Sequence, residues 1–133
     1  MSQLKVLIVE GNTHEENLKF QKLSNQPQSF NFKDNIKKYY PNTEIDIVNP
    51  STENETAKFI PQLNKYDGII WGGSTMNIYD NTIEIRRQID FAKKLFEFKK
   101  KIFAICWGLQ LIVTASGGEV KKSDTGTQVG ISI

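Results

Sequence analysis

The sequence is 133 residues long with 38% hydrophobic side chains, which suits one domain with its own core and no need of staples. Lysine and arginine number 17 against 15 acidic residues, a formal net charge of +2, so no strong field points to nucleic acid or an anionic membrane as partner. A single cysteine excludes an internal disulfide, and the opening MSQLKVLIVEGN has neither a cleavage site nor a span-length apolar run, which leaves the cytoplasm as the expected compartment.

Leu4 to Val9 is apolar apart from Lys5 and runs into Glu10-Gly11-Asn12, the pattern of a buried parallel strand ending in a loop. Residues 14–41 hold two helical stretches around the Asn25-Gln26-Pro27 break, with Leu18 and Leu23, then Phe32, Ile36 and Tyr39, near helical spacing. Ile45, Ile47 and Val48 alternate with acidic residues in a second strand that Pro50 stops. A short strand over Ile69–Trp71 leads into Gly72-Gly73, and a helix follows with Ile85, Ile89, Ala92 and Phe96 on one face. KIFAIC is the fourth strand, WGLQLIVTASGG a helix closed by Gly117-Gly118, and EVKKSDTGTQVGISI reads as short strands about a Thr125-Gly126 turn. No repeat, linker or low-complexity tract interrupts this order, so residues 1–133 are read as one domain.

Alternating strands and helices predict an α/β fold with a mostly parallel sheet, helices on both faces and strand order 2-1-3-4. Ligands in such sheets sit beyond the carboxyl ends of the strands, where Gly11, Gly72-Gly73 and Cys106 all fall.

A lone cysteine after an apolar strand is ordinarily a small buried hydrophobe. Its flanks change that reading. Strand passes to helix with no loop residues to spare, so Cys106 occupies a tight elbow; Gly108 lets helix and strand pack closely, with Ala104 as the small residue on the other side. A thiol there faces the positive end of the helix dipole, which favours thiolate, the attacking form. Trp107 N–H would stabilise an oxyanion, and Gly73 N–H is the choice for the second donor.

FAICWGLQLIVTASGGEV resembles the nucleophile segment of the class I glutamine amidotransferases, DGIIWGGS resembles their glycine-pair loop, and DTGTQVGISI resembles the strand after the turn. The likeness runs the length of the chain, which closely resembles the glutaminase domain of GMP synthases and related stand-alone proteins. It implies a flavodoxin-like three-layer domain without cofactor or metal. It implies that Cys106 attacks the side-chain amide of glutamine, forms a γ-glutamyl thioester and releases ammonia for an acceptor synthase domain or subunit. Gly72 and Gln110 would then hold the substrate. Ala104 stands for the family's usual glycine and Ser74 for its usual proline.

The family takes its triad His and Glu from a later segment, and no such segment is in these 133 residues. His14, the only histidine, follows the first strand and starts on the order of 10 Å from Cys106, at about 4.8 Å per strand, so it reads as a solvated loop residue. The chain's ending on GTQVGISI, an alternating strand pattern, adds to the expectation of a domain truncated at its C-terminus and inactive by itself. Two other readings remain open. AICWGLQ also resembles the elbow of the ThiJ/PfpI group, in which a glutamate approaches the thiol and Glu15 or Glu16 could serve, and a non-catalytic binding module would keep the elbow as architecture.

Overall fold

The computed structural model describes residues 3–120. Four strands, β1 (Lys5–Val9), β2 (Glu44–Val48), β3 (Gly68–Trp71) and β4 (Ile102–Ala104), form one sheet in the order β2-β1-β3-β4, every pair parallel. This is the expected order. The register sets Leu7 beside Ile69 and Val9 beside Trp71, and these side chains share one face because successive residues of a strand alternate.

That face is covered by α3 (Ile83–Glu97) and α4 (Trp107–Ala115), and Leu7, Val9, Ile69, Trp71, Phe91 and Leu111 lie in its buried cluster. Ile8, also without exposed surface, falls outside this cluster, on the face where α2 (Gln28–Tyr39) packs against β1. Three layers result, the flavodoxin-like arrangement. Among the described residues no helix is long and apolar enough to cross a membrane.

Three helices differ from expectation. The buried side of α3 is Ile85, Gln88, Phe91, Ala92 and Leu95, while Ile89 and Phe96 are only partly covered. The stripe is rotated toward a glutamine because that glutamine finds hydrogen-bond partners inside. In α1 (His14–Lys22) the buried residue is Asn17, whereas Leu18, and Leu23 after the helix, are exposed, as is Tyr39 at the end of α2. Between β2 and β3 the chain crosses in 3-10 turns at Thr56–Lys58 and Ile60–Lys65, and Leu63 and Tyr66 supply the buried apolar contact there.

Helix ends follow local chemistry. Thr13 caps α1, its hydroxyl accepting from Glu16 N–H at 3.1 Å. Gly117, at φ +98°, ends α4: its N–H reaches the Thr114 carbonyl and Gly118 N–H reaches that of Val113, a Schellman closure whose left-handed residue favours glycine. The Thr125-Gly126 turn and its flanking strands lie outside the described residues.

Candidate active site

The end of β1 organises the carboxyl edge of the sheet. Glu10 is buried, and its carboxylate accepts from Asn12 N–H at 3.2 Å and from Ser29 N–H at 3.1 Å. Ser29 belongs to the first turn of α2, whose own preceding residue, Pro27, provides no side-chain cap. A carboxylate on those exposed N–H groups is favoured by the helix dipole as well as by the hydrogen bond, so Glu10 anchors α2 beside the loop. Gly11 then passes so close to the β3 loop that a β-carbon would lie 2.6 Å from the Gly73 carbonyl oxygen and 2.7 Å from Cδ1 of Trp107. Asn12, buried, accepts from the Ser74 hydroxyl at 2.9 Å and from Thr75 N–H at 3.0 Å. Ser74 in turn accepts from Met76 N–H at 3.1 Å, so it ties the loop by hydrogen bonds.

The turn out of β4 is tight. Ile105 N–H donates to the Trp71 carbonyl at 3.0 Å, and Gly108 N–H is shared between the carbonyls of Gly72, 3.0 Å away, and Ile105, 2.9 Å away. A β-carbon on Gly108 would collide with the Trp71 carbonyl, so helix and strand approach more closely than any other residue would allow. Between them Cys106 adopts φ 50°, ψ −108°. A side chain there costs about 1–3 kcal/mol, and the clamps on either side hold it. The consequence is exposure: Cys106 is solvent-accessible at the start of α4 and is not a core filler.

Behind the elbow, Trp107 is buried and its indole N–H donates to Gln88 Oε1 at 2.9 Å. Gln88 Nε2 donates to the Gly11 carbonyl at 2.8 Å. One carboxamide thus joins the β1 loop, α3 and the elbow.

Cys106 and Gly73 open onto one cavity of about 680 Å³, with Asn12 and Gln28 also in its wall. Trp107 N–H, at the first position of α4, has no intrahelical acceptor. Gly73 N–H is engaged, donating to Gln28 Oε1 at 2.5 Å. Gly72 contributes its carbonyl to the elbow and packs against Gln28 and Phe32. Gln110, exposed one turn into α4, is not part of this cavity. His14 begins α1 and lines a different cavity with Glu10 and Asn17, and Glu15 and Glu16 line another with Lys19 and Thr82. None of these three lines the cavity of Cys106.

Glu10, Asn12, Gln28 and Gln88 escaped the reading of the sequence. Gln88 alone left a signal, standing three residues from both Ile85 and Phe91 within the apolar period. The others depend on contacts between distant segments.

With this geometry in place, likeness to known proteins is informative. The family model for class I glutamine amidotransferases matches residues 28–132. The chain belongs to the class I glutamine amidotransferase family. It is 36% identical over 123 residues to the γ-glutamyl-L-1-hydroxyisopropylamide hydrolase of a Pseudomonas species, covering 92% of this chain and 41% of that protein. It is 37% identical over 67 residues to γ-glutamyl peptidase 4 of Arabidopsis thaliana, half of this chain and 27% of the peptidase. A glutamine amidotransferase-like protein of Gibberella zeae, chry6, is 31% identical over 105 residues, 73% of this chain and 40% of the relative. The chain therefore spans less than half the length of each of these relatives. No solved structure matches it significantly. The fold and the relatives' names together fit a class I amidotransferase domain of the cysteine-dependent amide hydrolase kind.

Proposed function

We propose that this class I amidotransferase domain carries the nucleophile side of a site that cleaves γ-glutamyl amides. The observation that carries the proposal is the exposed Cys106 at a strained elbow, sharing a cavity with Gly73 and followed by Trp107 N–H. The Cys106 thiolate attacks the γ-carbonyl carbon; the C=O electrons move onto oxygen, where Trp107 N–H and a released Gly73 N–H stabilise the charge. Collapse breaks the C–N bond, the amine leaves with a proton drawn from water, and the hydroxide so formed hydrolyses the γ-glutamyl thioester to glutamate and the Cys106 thiolate. Gly72 and Gln110 are proposed to hold the glutamyl part. The relatives named for γ-glutamyl substrates support an organic amine as leaving group. The family match also supports the glutaminase form of the same chemistry, with ammonia leaving for an acceptor synthase. A single exposed thiol that must stay reduced suits the cytoplasm.

The test is labelling of Cys106 by a glutamine-mimicking electrophile, such as a diazoketone analogue. Cys106 should react about a hundredfold faster than a free small thiol because binding places the electrophile beside it. Glutamine and a γ-glutamyl alkylamide should each protect, and the better protector identifies the preferred leaving group. Unselective labelling with no protection by either compound would remove the proposal.

A further inference from the structure

The cavity at Cys106 extends beyond the reacting groups. The connection between α1 and α2 and the first turns of α2 contribute Ser24, Asn25, Gln26, Gln28 and Asn31 to its lining. Among the described residues no Lys, Arg, Asp or Glu lines it, although charged residues make up 24% of the chain. The carboxylate of Asp34 is turned to Gln26 Nε2 at 2.9 Å, and the same nitrogen donates to Asn31 Oδ1 at 2.5 Å.

Resting on the γ-glutamyl amide reading above, we propose that this cavity is the subsite for the leaving-amine part of the substrate, that it takes a neutral hydrogen-bonding group such as a hydroxyl or carboxamide, and that Gln28 holds the Gly73 donor until the substrate's carbonyl displaces it. The glutamyl end of the substrate carries an ammonium and a carboxylate. A charged group gains no ion pair from the described lining, whose Ser24, Asn25, Gln26, Gln28 and Asn31 are neutral and exposed, and keeps its affinity for water. The amine part needs no ion pair. Side-chain amides and a serine hydroxyl both donate and accept, so a neutral polar group exchanges water for protein at little cost, whereas a charged one does not.

Gln28 is the internal counterpart of such a ligand. Its carboxamide oxygen sits on Gly73 N–H at 2.5 Å in the cavity that Cys106 opens onto, where a substrate carbonyl has to place its own oxygen. Gln28 is the first residue of α2, and α2 is anchored by Glu10 through Ser29 N–H. The helix therefore stays while the side chain swings. Substrate amide replaces protein amide on the same donor, and the released Gln28 becomes one more neutral partner for the leaving amine.

The experiment compares the alkylation of Cys106 by iodoacetamides N-substituted with 2-hydroxyethyl, 2-aminoethyl or carboxymethyl groups. Each rate is divided by that of the same reagent with a free small thiol, to cancel intrinsic reactivity. The thiolate displaces iodide in every case, and only the substituent differs. The hydroxyethyl reagent should be favoured about tenfold over both charged ones. Gln28→Ala should raise all three rates by a common factor, because the Gly73 donor is freed. Asn31→Asp, which keeps the acceptor for Gln26, should turn the preference toward the aminoethyl reagent. Equal normalised rates, or an order unmoved by Asn31→Asp, would overturn the subsite; Gln28→Ala slowing all three would overturn the gate. Selectivity among these reagents is independent of protection by glutamine, so failure of the subsite is distinguishable from failure of the γ-glutamyl amide reading.

Discussion

Gln88 has no exposed surface, and both ends of its carboxamide are in use, on the Gly11 carbonyl and the Trp107 indole. Gln88→Leu keeps the volume and strands two buried polar groups. At about 1–3 kcal/mol for each group left unsatisfied, we expect a loss of roughly 2–6 kcal/mol in denaturant unfolding, together with slower labelling of Cys106 as the elbow loses its backing. Unchanged stability would mean that water or rearrangement satisfies both groups. Gly108 acts by what it lacks. Gly108→Ala puts a methyl against the Trp71 carbonyl, so helix and strand must separate; overpacking of this kind costs about 1–3 kcal/mol. The elbow should relax with it, and the preference of a glutamine-mimicking electrophile for Cys106 should fall at least tenfold even at temperatures where the variant remains folded.

At the scale of elements, α1 is held at its first turn by Thr13 and Glu16. Burial pushes the Glu16 carboxyl above its ordinary value of 4.5, outweighing the hydrogen bond from Thr13 and the charge of Lys19, which act in the other direction. A carboxyl raised in the folded state binds its proton more tightly there than when unfolded. Its contribution is therefore fully present below the unfolded value and is lost as pH rises through the folded one. Glu16→Gln should stabilise α1 near neutral pH and leave it unaffected at about pH 4, as read from hydrogen exchange of the α1 amides. A gain of equal size at both pH values would show that the effect is not titration. Tyr66 illustrates the same physics without a role at the site: burial, and then Asp46, whose carboxylate accepts from its hydroxyl at 2.6 Å, hold the phenol above its usual range.

At the scale of the whole molecule, the arrangement is unequal. Cys106, Gly73 and Trp107 share one edge of the sheet, while His14, the chain's only histidine, and the acidic pair beside it line other cavities. Thioester chemistry needs a base for the thiol and an acid for the departing amine. We expect the 133-residue chain to release no measurable ammonia from glutamine, and no amine from γ-glutamyl amides, while Cys106 is still labelled. His14→Ala should leave the labelling unchanged. Turnover abolished by His14→Ala would instead reveal a Cys106–His14 pair brought together by movement of α1.

What the sequence determined by itself was periodic or adjacent. Apolar runs closed by turn residues placed β1, β3 and β4, the alternation of strand and helix led to the order β2-β1-β3-β4, and Cys106 followed at once by a helix with Gly108 marked the elbow. These signals are local, because a strand's period or a turn's steric demand is written in neighbouring residues. Only the tertiary structure decided that Gln88 lies inside, that Asn12 braces the Gly73 loop, that Glu10 caps α2, and that Gln28 occupies the Gly73 donor. A polar residue on a helix looks like a solvated one until its partner is known, and the partner of Gln28 is 45 residues away in the chain. Burial of a carboxamide or carboxylate is tolerated only when a distant backbone group completes its hydrogen bonds, and that condition is set by how the layers pack.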